Sequence, residues 1–90
     1  MTRFQFTEQA WSEYMYWQFQ DRKSLKKINK LIADIGRNGA LNGEGKPELL
    51  KGELSGYFSR RINEKDRLIY KVLEGDIIEI YSCKDHYKDK

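Results

Sequence analysis

The sequence predicts an α+β fold with an N-terminal strand followed by two α-helices, which pack on one face of a mainly antiparallel sheet. Apolar residues alternate with period two at the start, then recur at helical spacing, and three strand-like runs with short turns follow. An antiparallel sheet can pack helices on one face while the other stays open to water or a ligand. No linker or repeat divides the chain, so residues 1–90 are expected to form one domain.

The first helix is expected to follow the strand "RFQF", with Thr7 as its N-cap and Glu8 in its first turn. Its segment, "EQAWSEYMYWQFQ", places Ala10, Trp11, Tyr14 and Trp17 on one broad stripe. Two interpretations stay open: the three rings belong to the core, or they line a homodimer surface.

The second helix, "RKSLKKINKLIADIG", is predicted to begin after an Asp21 cap and to end at Gly36. Its apolar positions recur every three or four residues, at Leu25, Ile28, Leu31, Ile32 and Ile35. Its other face is basic, with Arg22, Lys23, Lys26, Lys27 and Lys30. That face is either a solvated surface or a stripe that binds phosphates, because residues one turn apart point the same way.

The segment "RNGALNGEGKPELLKGELSG" is predicted to be a loop, because it holds five of the seven glycines and the only proline. The strands "YFSRRI", "RLIYKVL" and "DIIEIYSC" follow it. Alternation places Leu68, Tyr70 and Val72 on the core side of the middle strand. Whether Arg61 and Arg67 share a face is left open by the sequence, because an odd number of turn residues or a bulge would align them and an even number would not.

Two residues have both an ordinary and a chemical interpretation. Glu48 follows Pro47, which should hold Lys46 in an extended conformation, and it is either a surface glutamate or a general base at a cleft edge. Arg67 either pairs with a neighbouring acid, Asp66 or Glu64, or binds a phosphate.

Composition excludes several classes of protein. One cysteine and one histidine rule out an internal disulfide and make a structural metal centre or other cofactor unexpected. The chain lacks an apolar run of ~18–20 residues and the apolar core of a signal peptide, so we expect a cytosolic protein without a membrane segment. The net charge of +3 favours an anionic partner.

Several motifs together resemble the YoeB family of bacterial toxins in the RelE/ParE superfamily. They are "WSEYMYWQ", "KKINKLI", "GEGKPELLKGELSGYFSRRINEKDRLIYKV" and a final "HY", in that order, and they extend over almost the whole chain. The resemblance implies a microbial-ribonuclease-like fold. It also implies a ribosome-dependent mRNA endoribonuclease that acts in the ribosomal A site without a metal or cofactor.

The resemblance assigns roles by motif position. The family's acid–base glutamate corresponds to Glu48 of "KPELLK", and its catalytic arginine to Arg67 of "DRLIY". The catalytic histidine and tyrosine correspond to His86 and Tyr87, and further basic positions around the site to Lys51 and Arg61. One departure is the extension "KDK", Lys88–Lys90, where family members typically stop near the tyrosine.

The resemblance also implies partners: a YefM-like antitoxin, the ribosome with its mRNA, promoter DNA through the toxin–antitoxin complex, and a second copy in a homodimer. Two other functions are compatible with the same fold. One is a non-catalytic module that is bound by its antitoxin and acts by occupying the ribosome or DNA. The other is a gyrase-directed toxin of the ParE type.

Overall fold

The computed structural model describes residues 2–85 of the chain. The elements are β1 (Arg3–Phe6), α1 (Glu8–Gln20), α2 (Arg22–Asn38), β2 (Glu48–Leu49), a 3₁₀ turn (Gly52–Leu54), β3 (Phe58–Arg61), β4 (Arg67–Leu73) and β5 (Ile77–Ser82). The predicted α+β fold is confirmed. The segment predicted as a loop contains β2 and the 3₁₀ turn.

The five strands form one mixed sheet in the order β1-β5-β4-β3-β2. Strand β1 runs parallel to β5, with Phe6 opposite Ile80, and every other pair is antiparallel. Ile80 lies next to Tyr70, and Tyr70 next to Phe58. This row of apolar side chains belongs to the core cluster that includes Ile28 and Leu31 of α2, so the helices cover this face of the sheet.

The helix ends agree with those predicted from the sequence, except for the C-terminal end of α2. Thr7 Oγ1 accepts a hydrogen bond from the Ala10 amide, and Asp21 accepts from the first amides of α2. Helix α2 does not end at Gly36. It continues to Asn38, and Gly39 at φ 93° forms its C-cap. Gly36 instead packs against Phe4, whose ring would lie 3.4 Å from an added Cβ.

Helix α1 separates its large rings between the core and the surface. Trp17 is buried, so its interpretation as part of a dimer surface is wrong. Tyr14 is half-buried and, with Trp11, contacts Phe6 at centroid distances of 5.5 and 5.6 Å. Trp11 is exposed, and Met15 and Phe19 follow it at four-residue spacing on the same outer face.

The prediction that Val72 belongs to the core is wrong, because its side chain is 53% exposed. Val72 pairs with Ile78 of β5, but the pairing of β3 with β4 stops at Phe58 and Tyr70. Val72 therefore lies beyond the end of β3 and has a neighbouring strand on one side only. Alternation gives the face of a residue, whereas coverage depends on where the neighbouring strand ends.

Arg60 is completely buried and organises the segment that leads to β2. Its Nη1 donates to Asp34 Oδ2 at 2.6 Å and its Nε to the Tyr70 hydroxyl at 2.8 Å. It also donates to backbone carbonyls of the segment after α2, those of Gly39, Asn42 and Glu44. The buried guanidinium thus supplies hydrogen-bond donors to three backbone carbonyls of this loop.

The carboxylate of Asp34 completes this network. The hydrogen bond from Arg60 is the main cause that lowers the pKa of Asp34 below its usual 3.8, and the Glu44 amide adds to it. Gly43 is required next to it, since a Cβ there would lie 1.8 Å from Asp34 Oδ2 and the backbone has φ 116°. The loop before Glu48 is therefore tied to α2 and β3.

Candidate nuclease site

The face of the sheet that points away from the helices carries the predicted site residues of β2, β3 and β4. Glu48 is paired with Ser59, and Ser59 with Ile69. Arg61 is paired directly with Arg67. Paired residues of an antiparallel sheet lie on the same face, as do residues two apart on one strand. Glu48, Arg61 and Arg67 therefore share one face, which we call the open face because no helix packs on it, although Ser59 and Ile69 on this face are buried.

The turn between β3 and β4 settles how the two arginines are aligned. Ile62 donates its amide to the Asp66 carbonyl at 3.0 Å, so only Asn63–Lys65 lie between the paired ends. This odd number of residues places Arg61 opposite Arg67. Standard strand spacing places the Cα of Glu48 about 8 Å from that of Arg61 and about 12 Å from that of Arg67. Long side chains can converge on one phosphate across such gaps.

Arg67 does not form the predicted ion pair in the part of the chain that the structure describes. Its Nη1 donates to the backbone carbonyls of Asn63 and Asp66, at 3.0 and 3.1 Å. These neutral partners orient the guanidinium and do not neutralise its charge. The side chain is half-buried on the open face, where a planar, charged fork is suited to phosphate oxygens.

Glu48 and Lys51 lie on either side of Leu50, a buried residue that attaches this segment to the protein. Both are exposed, whereas Leu50 between them is buried and donates its amide to the Tyr57 carbonyl at 2.9 Å. The expected extended conformation of Lys46 is wrong, because its φ is 53°. The chain turns there since the Gly45 carbonyl accepts from the Arg61 amide at 2.7 Å, which ties the loop to β3.

His86, Tyr87 and the extension Lys88–Lys90 lie outside the described residues. Asp85, the residue before His86, lies beside the open-face arginine: its carbonyl accepts from the Arg67 amide at 3.2 Å. The Asp85 amide donates to Asp66 Oδ1 at 2.6 Å. Two hydrogen bonds therefore hold the last described residue at the start of β4.

The open face also carries an aromatic cluster that the sequence interpretation missed. The rings of Tyr57 and Tyr81 lie 5.0 Å apart, and the Lys71 ammonium lies 4.9 Å from the Tyr57 ring centroid. Alternation from Phe58 and Ile80 could have assigned both tyrosines to this face. Their contact depends on the register of three strands and on an irregularity in the pairing at Ile69 and Tyr70.

The basic face of α2 is partly neutralised. Glu44 lies 3.8 Å from the Lys27 ammonium and 3.5 Å from that of Lys30. A groove of about 400 Å³ separates this helix from the β3–β4 turn and is lined by Lys27, Lys46 and Arg61, among others. The groove adds basic residues beside the open face.

Cys83 is buried, and desolvation raises the pKa of its thiol to about 12, with the nearby charges of Glu13 and Asp66 as smaller causes. At pH 8 a pKa of 12 leaves about one thiol in 10⁴ ionised, and the thiolate is the nucleophile. We therefore expect iodoacetamide to label the folded protein far more slowly than the protein in urea, as measured by mass spectrometry. Equal labelling rates would contradict the buried environment of this thiol.

Within residues 2–85, no helix is long and apolar enough to cross a membrane. In the same range, no group of at least three histidine, cysteine, aspartate or glutamate side chains is arranged to hold a metal ion.

Comparison with known proteins identifies the family. The family described as "YoeB-like toxin of bacterial type II toxin-antitoxin system" matches residues 6–87. The toxin YoeB of Streptomyces coelicolor is 48% identical over 85 residues, which cover 94% of this chain and 99% of the relative.

Two solved structures from Staphylococcus aureus share the fold. One is YoeB in a heterotetrameric YoeB–YefM toxin–antitoxin complex, with a TM-score of 0.87 and 52% identity over 97% of this chain and 99% of the other. The second is a YoeB dimer, with a TM-score of 0.87 and 51% identity over 96% and 98% of the two chains. The chain belongs to the YoeB-like toxins of bacterial type II toxin–antitoxin systems, which confirms the resemblance found from the sequence.

Proposed function

We propose that this toxin is a ribosome-dependent mRNA endoribonuclease that cuts in the ribosomal A site and so inhibits translation in the cytoplasm. The observation that carries the proposal is the open face, where Glu48, Arg61 and Arg67 lie together and the chain arrives at Asp85 beside Arg67. A carboxylate on the same face as two guanidinium groups is suited to phosphoryl transfer. A purely structural surface has no need of this arrangement.

The proposed chemistry is transesterification within the RNA. Glu48 takes the proton of the 2′-hydroxyl, whose oxygen attacks the adjacent phosphorus and forms a new O–P bond. The bond from phosphorus to the 5′-oxygen breaks, and His86 gives that oxygen its proton. The products are a 2′,3′-cyclic phosphate and a 5′-hydroxyl, and the route needs no metal ion. Imidazole suits the acid role because it titrates near neutral pH.

The remaining residues bind and orient the substrate in this proposal. Arg67 binds two phosphate oxygens with its positively charged guanidinium and stabilises the negative charge that grows there in the transition state. Lys51 and Arg61 hold neighbouring phosphates, and Tyr87 donates a hydrogen bond to the phosphate or stacks on a base. The described side chains of the open face are mainly charged and aromatic and do not read base sequence, so in this proposal the ribosome holds and bends the mRNA.

The proposed partners follow from the relatives. The Staphylococcus aureus structures combine YoeB with YefM in one case and pair two YoeB chains in the other. We propose that a YefM-like antitoxin with an acidic, disordered segment covers the basic open face. We further propose that residues 1–90 form one toxin domain that dimerises and that joins promoter DNA only through the antitoxin.

The test compares the wild type with His86→Gln on translating ribosomes, with the mRNA 5′ ends mapped. We expect the wild type to create new ends inside translated codons. The variant should bind ribosomes yet lose most cleavage, about 10²–10⁴-fold in rate.

Ribosome stalling by the wild type without new ends would identify the non-catalytic module instead. Inhibition of DNA supercoiling would identify a gyrase-directed toxin. Full cleavage by His86→Gln would remove His86 as the acid, and equal cleavage of naked RNA would remove the ribosome requirement.

A further inference from the structure

We propose that Glu13 and Asp66 are positioning residues for the proposed cleavage: they hold the backbone of residues 83–85 and so fix the point from which His86 follows. This inference rests on the proposed function. Neither carboxylate is assigned to the reacting groups, and both lie on elements distant in sequence from the chain end that they bind. Two backbone amides of one short segment are each bound by a carboxylate from a different side.

The first attachment joins the segment to α1. Glu13 Oε1 accepts from the Cys83 amide at 2.7 Å, and the Trp17 indole Nε1 donates to the Cys83 carbonyl at 2.8 Å. The backbone N–H and C=O of Cys83 are therefore both satisfied by side chains of α1 that lie one helical turn apart. Trp17 and Cys83 are buried, which excludes water as a competing partner.

The second attachment joins the segment to the β3–β4 turn. Asp66 Oδ1 accepts from the Asp85 amide at 2.6 Å, and the Arg67 amide donates to the Asp85 carbonyl at 3.2 Å. Asp66 is itself fixed: it is 5% exposed, and its amide donates to Asn63 Oδ1 at 2.8 Å. The residue that holds Asp85 thus directly precedes the proposed phosphate-binding arginine.

Short hydrogen bonds to a carboxylate are stronger than those between neutral groups. Glu13 and Asp66 bind the segment two residues apart, so they restrict its direction as well as its location. A displacement of ~1 Å at a reacting group can cost ~10²-fold in rate. The location of residues 83–85 therefore matters for chemistry, because the hydrogen bonds of Asp85 join this segment to Asp66 and to the start of β4, where Arg67 lies.

The experiment compares alanine and amide variants at both positions. Asp66→Ala and Glu13→Ala remove the acceptor, whereas Asp66→Asn and Glu13→Gln keep a side-chain oxygen at the same place. We expect the alanine variants to lower the single-turnover cleavage rate on programmed ribosomes about 10- to 100-fold at unchanged ribosome affinity. The amide variants should recover most of that loss.

A modified mRNA distinguishes a variant in which the acid is misplaced from a variant in which the fold is damaged. Replacing the 5′-bridging oxygen at the cleavage position by sulfur gives a leaving group that needs no proton. On this substrate, Asp66→Ala and Glu13→Ala should cleave at nearly the wild-type rate. Asp21→Ala is the matched control: it removes a carboxylate that accepts backbone amides at the start of α2, and it should slow cleavage of neither mRNA.

Three results would overturn the inference while leaving the proposed function in place. They are wild-type rates of the alanine variants on the ordinary mRNA, equal losses on both mRNAs, and failure of the amide variants to recover activity. Absence of cleavage of both mRNAs by the wild type would instead refute the proposed function.

Discussion

Glu48→Gln is expected to abolish most mRNA cleavage, with a loss of about 10²–10⁴ in rate, while the protein folds and binds ribosomes normally. Glu48 is exposed on a two-residue strand, so the amide fits without repacking. The pairing of Glu48 with Ser59 uses backbone atoms and does not depend on the side-chain charge. Only the ability to accept the 2′-hydroxyl proton is removed.

The effect is measured as the single-turnover cleavage rate on programmed ribosomes, together with growth after induction in a host without antitoxin. Glu53→Gln is the matched control, because Glu53 is an exposed acid in the 3₁₀ turn a few residues further along the chain. The control should cleave at the wild-type rate. If Glu48→Gln cleaved as fast as the control, another group would have to be the base.

Arg60→Met is expected to lower the free energy of unfolding by about 3–5 kcal/mol, the typical effect of removing one partner of a buried ion pair. The substitution removes the charged partner of the Asp34 carboxylate, which keeps only the Asn38 and Glu44 donors, and it leaves the Tyr70 hydroxyl and several loop carbonyls without the guanidinium as donor. Small domains have a total stability of about 5–15 kcal/mol, so much of it would be lost.

Urea denaturation followed by tryptophan fluorescence measures this change. Arg61→Met is the matched control: the same substitution on the adjacent, exposed arginine should alter stability by no more than about 0.5 kcal/mol. Similar losses for the two variants would contradict the structural role of Arg60.

The pH dependence of stability gives a second check of the same network. The pKa of Asp34 is lowered in the folded state, so its contribution is present above its usual pKa of 3.8 and is lost as the pH falls through the lowered value. Arg60→Met removes the main cause of that shift. The part of the acid dependence that comes from Asp34 should therefore be weaker in the variant.

Sequence patterns were sufficient for features that depend on neighbouring residues. The limits of β4, the Thr7 and Asp21 caps and the start of both helices agree with the structure, because capping and alternation are local. The end of α2 was wrong, since two glycines were available as a stop. The close packing of Gly36 on Phe4 became evident only from the tertiary structure.

The candidate site, too, was predicted in part from the sequence and became evident in part only from the tertiary structure. Adjacent strand residues point to opposite faces, so Arg60 and Arg61 lie on different faces, and the structure shows that Arg60 is the buried one. The resemblance to the YoeB family selected Glu48, Arg61 and Arg67 by motif. The strand register then placed these three on one face, while His86 and Tyr87 lie outside the described residues.

The sequence by itself determined the two helices and the strands other than β2, the family and the residues proposed for chemistry, because these depend on short-range patterns and on motifs. Only the tertiary structure decided that Arg60 supports the loop from within, that Val72 lies beyond the end of β3, and that Glu13 and Asp66 bind the backbone near the chain end. These features arise from contacts between distant segments. Such contacts depend on strand register and on where each strand ends, which a period of two does not encode.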